Sequence, residues 1–590
     1  MKAAVLKRNE TLIKTKFLQY LIPSIMTNMA LQIGNIVDTI LVGNILGESA
    51  MSAVQIGGTI MLLIQIPGYM LGIGGSIIAG IKLGKRDVEG AGSVFTSCLF
   101  ATLVSGAALM LCAAASQPIA TVLTAGGSGL TADVMSVVRM TFLGTPVIGV
   151  ALLMINFMSV DNNPQLSTAY VVISNIVNLI ADYVLLKYTP IGAAGSVIST
   201  VLGYGTALIA VIFYVRSPKR MLRLTRSFHG FGLAALTGVP ALLSIVCEMI
   251  RNHTMNVMIQ RLIGEDAVAV YTICLNIVMI CELFLGGIIG AMDKIGGVIY
   301  GERDYFGIRS LVKYILRYSY CVLVFLIAAL LLFTREAASI FGITNTALLD
   351  ASVPALRIFL LALPGYVFNR FFISYYQTTE HTRYSNLITV LEYCVALLPA
   401  VFATVSIAAS AGADKLNATM LGLAVGEVLT VLLTVFAIRL TSRGEDLLLL
   451  PEDTGEDVLD LSVGADVGQA STISREIIAF CRDKIEPTRA YQIAVAAEEM
   501  AVNAATHGGE SLSSIDVMLC LTDAQVLLRL RDDGIPFDPT DYSFDGDDYD
   551  YSGIDTVRKL TDRITYLRML DFNNTTLEID RVRLNSELPS

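Results

Sequence analysis

Charge is what this sequence has least of. Asp, Glu, Lys and Arg make up 16% of its 590 residues, where a soluble globular domain carries about 25%. Among its nine cysteines and four histidines there is no CxxC pair and no His/Cys cluster, so neither a zinc site nor a disulfide framework is supported. Cys98, Cys112, Cys247, Cys274, Cys281, Cys321 and Cys394 sit inside apolar runs, where Cys behaves as a small hydrophobe. The basic N-terminus leads into an apolar run long enough to span a bilayer but lacks a small-residue cleavage site. It reads as a first span, not as a removed signal peptide. A GxxxxGK[ST] P-loop is absent, which argues against an ABC-type motor driving export.

What the sequence has is apolar length. Crossing a bilayer takes about 20 apolar residues, and twelve stretches qualify, near 17–43, 52–82, 92–116, 132–157, 165–186, 191–215, 230–262, 267–299, 310–333, 352–374, 385–408 and 416–440. Lys and Arg gather at the N-terminus, at Lys82, Lys85 and Arg86, in the Arg216–Arg226 connection, at Arg303, Arg309 and Lys313, and at Arg439 and Arg443. The positive-inside rule then places both termini in the cytoplasm of a cell-membrane protein. Charge also divides the chain. Residues 1–444 hold 29 basic and 21 acidic residues, a net of +8, whereas 445–590 hold 12 and 30, a net of −18. So acidic a tail argues against nucleic acid as a partner. The bilayer and a small-molecule substrate are the partners expected.

The sequence repeats itself at an offset of 217 residues. Pro23 matches Pro240, Gly47 Gly264, Glu48 Glu265, Ala50 Ala267, Ile56 Ile273, Gly84 Gly301, Arg86 Arg303 and Asp87 Asp304. Six spans in each half is an even number, so the halves enter the membrane with the same orientation and are parallel repeats. The expected fold class is an all-α polytopic membrane protein of 12 transmembrane helices in two parallel six-helix repeats, followed by an α+β domain. The boundaries are 1–226, 227–443, a linker at 444–455, and 456–590.

Ionisable groups inside a span are costly and read first as functional. Asp38 lies mid-way along the first span. Asn178 and Asp182 are four apart in the fifth and share a helix face, and Thr200 lies in the sixth. These oxygens suit a hard cation such as Na+, and the same buried carboxylates can carry H+. Alternatively, Asn178 and Asp182 satisfy neighbouring helix backbones. In the second half Met255 stands where Asp38 would repeat, so the halves are not equivalent. Glu248 and Glu282, with Arg251, Asp293 and Lys294, form internal ion pairs or line a substrate cavity.

The stretch PSIMTNMALQIGNIVDTILVGNILGESAMSAV…LGIGGSIIAGIKLGKRDVEGA, with its counterpart IGEDAVAVYTI…YGERD, resembles the multidrug and toxin extrusion (MATE) family over residues 12–440. The resemblance implies export of amphipathic, often cationic solutes, driven by Na+ or H+. It also implies that Asp38, Asn178, Asp182 and Thr200 converge, since they match the N-lobe cation site of the DinF-like branch.

Beyond the linker the pattern predicts helices at 473–485 and 487–507, and strands at 513–522, 525–532, 563–570 and 575–580. Glu499 and Asn503 lie four apart on one helix face, a carboxylate for a general base beside an amide for Mg2+. RLRDDGIPFDP follows, then SGIDTVRKLTDR. In this order they resemble the GHKL ATPase fold, nearest the anti-sigma-factor serine kinases. That likeness implies ATP and Mg2+ as ligands. It makes Glu499 the base, Asn503 the Mg2+ ligand and Asp532 the adenine reader, while Gly534 admits the base and Gly553 belongs to the lid. The lid departs from the pattern: Asp541, Asp545, Asp547, Asp548 and Asp550 stand where glycines would hold phosphates, and these carboxylates repel a triphosphate. Two functions compete. One is cation-coupled export regulated by the tail domain. The other is a membrane sensor that switches a serine-kinase-like domain acting on a cytoplasmic regulatory protein. Lipid-linked oligosaccharide flipping ranks last, because it would call for more cationic charge.

Overall fold

The computed structural model describes residues 7–46, 48–124, 131–340, 346–442, 446–450, 458–522, 525–541 and 552–580, without the side chains of some helical positions, among them 35–40. The chain forms two compact units.

The larger unit, Gln19–Asp304 with Leu311–Leu449, is helical. Its first half holds α1 (Thr11–Leu46), α2 (Glu48–Gly84), α3 (Val88–Leu111), α4 (Thr131–Val160), α5 (Pro164–Tyr188) and α6 (Ala194–Ala207), continued by α7 (Ile209–Arg216). The second holds α8 (Phe231–Leu262), α9 (Glu265–Ile289), α10 (Tyr305–Leu332), α11 (Thr346–Phe359), α12 (Leu363–Thr378), α13 (Thr382–Val390), α14 (Leu397–Ala411) and α15 (Lys415–Thr441). Among the described residues, eleven stretches are long and apolar enough to cross a membrane. With α1, whose run includes the undescribed side chains, the long helices number twelve.

The repeat is written into the backbone as well as the sequence. Arg86 and Arg303 both adopt left-handed φ, 63° and 58°, two residues past the matched Gly84 and Gly301. Asn162 and Glu380 do the same at 58° and 62° in the next equivalent turn. Non-glycine residues avoid this region, so its recurrence marks the same reversal made twice. Asp87 then caps α3, accepting from the Gly90 N–H at 2.7 Å, as short polar side chains at helix starts do.

The two halves meet where the matched glycines face each other. A Cβ at Gly84 would fall well inside contact of the Val298 carbonyl oxygen and 2.8 Å from the Glu302 nitrogen. A Cβ at Gly301 would strike the Ile81 carbonyl group in the same way, 2.9 Å from the Ile81 Cα. Two backbones approach this closely only where neither carries a side chain.

The smaller unit comprises Met1–Leu18, Tyr305–Ser310 and Leu450–Ser590. Its centre is an antiparallel sheet in the order β1-β2-β3-β5-β4: β1 Val458–Gly464, β2 Ser514–Leu521, β3 Gln525–Asp532, β4 Arg563–Met569 and β5 Phe572–Asp580. Helices α16 (Ile473–Cys481), α17 (Pro487–His507) and α18 (Ser552–Leu560) accompany it. Strand residues alternate between faces. Leu461, Val463, Ile515, Val517, Leu519, Leu528 and Leu577 pack with Ile473, Ile477, Ile493 and Ala497 in one core. β1 lies outside the strands expected from sequence, and α16 ends at Cys481, earlier than the expected 485.

Candidate functional site

Three places gather the polar groups that the sequence singled out. In the first half, α5 and α6 approach closely at Gly203, where a Cβ would lie 2.5 Å from the Ser174 carbonyl oxygen and 3.0 Å from the Asn178 Cβ. Across that contact the Asn178 amide donates to the Ser199 and Thr200 hydroxyls, each at 3.3 Å. The Ser199 hydroxyl in turn donates to Asp182 in a short hydrogen bond. Asp182 and Ser199 are fully buried. The structure thus joins Asn178, Asp182 and Thr200 into one network and adds Ser199, which the sequence reading omitted. Asp38 belongs to α1, but its side chain lies outside the described residues. Beside the network, a cavity of about 220 Å³ runs between α1 and α5, lined by Ala30, Ile33, Gly34, Asn175, Ile176 and Asn178.

The second half holds a denser cluster. The Tyr366 hydroxyl donates to Glu282, and the Arg370 guanidinium lies 3.5 Å from Glu282 and 3.7 Å from Glu392. Asn369 donates to Glu427 at 2.7 Å. Arg251 lies over the Tyr393 ring at 4.8 Å and reaches Glu248 at 3.5 Å. Glu248 is 48% exposed and stays at the margin, so the structure connects it to Glu282 only through intervening side chains. Glu392 is fully enclosed, and among the described residues neither of its oxygens accepts a hydrogen bond. Four carboxyl groups thus gather around two guanidiniums, Arg251 and Arg370. Arg370, Glu392 and Glu427 escaped the sequence reading, although each is a lone ionisable group in an apolar run, the criterion that picked out Asp38. Met255, the repeat partner of Asp38, is buried core.

In the smaller unit, α17 carries Glu499 and Asn503, and Asp532 ends β3 opposite Asn573 of β5. A cavity lined by Asn503, Gly508, Asp532, Phe537, Asn573 and Thr575 opens there. Asp532 accepts from the Asn573 amide at 2.8 Å and from the Gly534 nitrogen at 2.9 Å. Burial pushes its carboxyl above the usual carboxylate range, against the lowering effect of these two donors. Asn573 is held in turn by Tyr566 at 2.8 Å and Arg568 at 2.7 Å. Gly553, in the first turn of α18, abuts the catalytic candidates: a Cβ there would collide with Glu499 and lie 3.4 Å from the Asn503 amide nitrogen. That nitrogen is buried and has no hydrogen-bond partner among the described residues. The cavity thus sets an acceptor carboxylate, Asp532, near an unpartnered amide donor, Asn503. Of the acidic lid residues, 545, 547, 548 and 550 lie outside the described residues. Among the described residues no group of three His, Cys, Asp or Glu is placed to hold a metal by itself.

Comparison with known proteins agrees with both units. The family model described as MatE matches residues 23–184 and 240–403, one copy per half and together more than half the chain. The model described as histidine kinase-like ATPase domain matches residues 463–578. Among solved structures, a multidrug resistance MATE family transporter of the MOP superfamily in an outward-facing conformation is 19% identical at a TM-score of 0.67, over 74% of this chain and 97% of its own. A MOP superfamily transporter from Pyrococcus furiosus, described by the reverse polarity of its binding pocket, and a MATE protein in complex with MaL6 each reach 0.66 at 19% identity, over 73% of this chain and 96% of theirs. At that identity they show the fold. None of the curated proteins matches.

Proposed function

The chain belongs to the MatE family, and on that premise we propose that it is a secondary active efflux transporter, exchanging amphipathic or cationic solutes for Na+ or H+ under the control of its nucleotide-binding tail domain. The observation that carries the coupling role is the enclosed network of Asn178, Asp182, Ser199 and Thr200, placed beside the α1–α5 cavity. A buried carboxylate with amide and hydroxyl oxygens around it offers hard ligands to Na+, or exchanges a proton with the cavity. The family resemblance adds Asp38, a residue of α1, to this set. The second-half cluster, with its surplus of carboxylates around Glu282 and Glu248, favours a cationic solute. Both termini are cytoplasmic in this reading.

In the tail domain Asp532 would accept from the adenine amino group, Gly534 would admit the base, and Asn503 would hold Mg2+. When bound, the nucleotide would supply a phosphoryl group to a nucleophile, with Glu499 placed to take the proton. Those intact positions also support a second reading, in which the membrane bundle is a sensor and the tail a protein-serine kinase acting on a regulatory protein.

Proteoliposomes separate the two. With an imposed Na+ or H+ gradient, the wild type exports a fluorescent cation, and Asp182→Asn or Asp38→Asn loses the gradient dependence. Wild-type vesicles that export nothing under either gradient, yet phosphorylate a protein substrate, would establish the sensor instead.

A further inference from the structure

One face of the tail sheet packs against the helices. The opposite face is polar, and it is nevertheless buried. Ser462, Asp516 and Asn574 alternate with the core residues of β1, β2 and β5 and are all enclosed. Ser462 and Asp516 are covered by the chain's own N-terminal segment, which belongs to the same compact unit. The Arg8 guanidinium, 4% exposed, pairs with Asp460 at 2.8 Å and Asp516 at 3.3 Å. The Asn9 nitrogen donates to the Ser462 hydroxyl at 3.0 Å. In the first turns of α1, Leu12, Ile13 and Phe17 are buried. Lys16, also 4% exposed, lies 3.9 Å from Asp571 and 4.8 Å above the Phe572 ring.

Arg8 has a further contact. Its guanidinium lies 5.1 Å over the ring of Phe306, in the segment Tyr305–Ser310 that starts α10 and belongs to this unit. Helix α1 runs on into the first six-span half and α10 into the second. A single domain therefore holds the starting turns of one helix from each half.

The register of β5 ties this face to the nucleotide cavity. Phe572 touches Lys16, and the next residue, Asn573, points to the other side. There it lines the cavity and donates to Asp532. A shift of β5 that reseats Phe572 moves Asn573, and the reverse holds equally. We infer that the N-terminal segment and the start of α10 form a brace, through which nucleotide occupancy of the tail domain and the seating of one helix from each half depend on each other.

The inference rests on the nucleotide-binding reading of the tail, and coupling of this kind is reciprocal. The test uses the full chain in lipid nanodiscs, with Mg2+ and a fluorescent ATP analogue. Arg8→Ala removes the junction without touching the cavity. It is expected to weaken binding on the order of 5- to 20-fold, within the usual span of site-to-site couplings. Phe306→Ala acts in the same direction from the α10 side, and Arg8→Lys restores most of the affinity. Hydrogen exchange at 458–464 and 514–521 establishes that the variant domains are folded. In the wild type, saturating analogue is expected to slow exchange of the amides at 11–18. Should Arg8→Ala unfold the domain, that wild-type exchange measurement decides. Unchanged affinity in a folded Arg8→Ala chain, or exchange at 11–18 indifferent to the analogue, overturns the brace alone. A wild type that binds no analogue overturns the nucleotide reading and the brace with it.

Discussion

Gly84 and Gly301 face each other across the contact between the two halves, and a methyl group at either should push the halves apart. A Cβ at Gly84 meets backbone alone: the Val298 carbonyl oxygen, the Glu302 nitrogen at 2.8 Å and the Gly301 Cα at 2.9 Å. No side chain is available to swing aside, so the two backbones themselves have to separate. Overpacking of this kind costs about 1–3 kcal/mol, which shifts the balance against the closed seam by about 5- to 150-fold. The assay is the rate of maleimide labelling at Ile81→Cys in a cysteine-free chain, since Ile81 is 2% exposed while the seam is shut. Gly84→Ala and Gly301→Ala should each raise that rate and lower the melting temperature. Both methyls enter one gap, so the double variant should cost less than the sum of the singles. Labelling and melting unchanged in both singles would refute the close-contact reasoning. Strict additivity would refute the shared gap.

Two further outcomes are expected. Asp532→Asn turns an acceptor that lines the proposed nucleotide cavity into a donor. Losing a hydrogen bond to a charged group costs about 1.5–3 kcal/mol, so titration with the ATP analogue should show affinity lower by about 10- to 150-fold. Because burial holds Asp532 above the usual range, wild-type affinity should fall on acidification sooner than for an ordinary carboxylate, and a pH-independent affinity would contradict this role. Asp161 is enclosed in the turn after α4, accepting from Tyr214 at 2.6 Å and from the nitrogens of Met221 at 2.8 Å and Leu222 at 3.1 Å. Burial nevertheless pushes it up to about 6. The folded state therefore favours its protonated form, with a contribution present below about pH 4 and lost as pH rises through about 6, roughly 3 kcal/mol in all. Melting temperatures at pH 5 and pH 8 should differ less in Asp161→Asn than in the wild type, and equal differences would rule Asp161 out as the source.

The spans, the repeat and the tail fold were legible because each is written locally. Apolar length, a fixed offset and helix-facing pairs such as Glu499/Asn503 need no knowledge of distant partners. Ser199 was not, because a serine in an apolar helix is unremarkable until Asp182 is seen across the α5–α6 contact. Arg370, Glu392 and Glu427 carry the same signal as Glu248 and Glu282, a lone ionisable group in an apolar run, but no spacing in the sequence joins them to that pair. β1 was overlooked because it follows an acidic linker and pairs with β2 some fifty residues further on, as Ser462 does with Asp516. In sequence, the N-terminal residues have the character of basic residues that orient a first span. Nothing near them in sequence announces Asp460, Asp516 or Asp571 as their partners.

That separation bears on how the molecule is made. Arg8 leaves the ribosome 452 residues ahead of Asp460. At about 5–20 residues per second, it waits roughly 20–90 s for its partner. Through that interval the polar face that will enclose it does not exist, and the twelve spans are inserted with the starts of α1 and α10 still uncovered. The last strands of the sheet are thus synthesised after the membrane helices, and the enclosure of Arg8 comes late in the making of the chain. A chain arrested before β2 would carry an exposed guanidinium at its first helix, a difference between finished and unfinished molecules that cellular quality control could read.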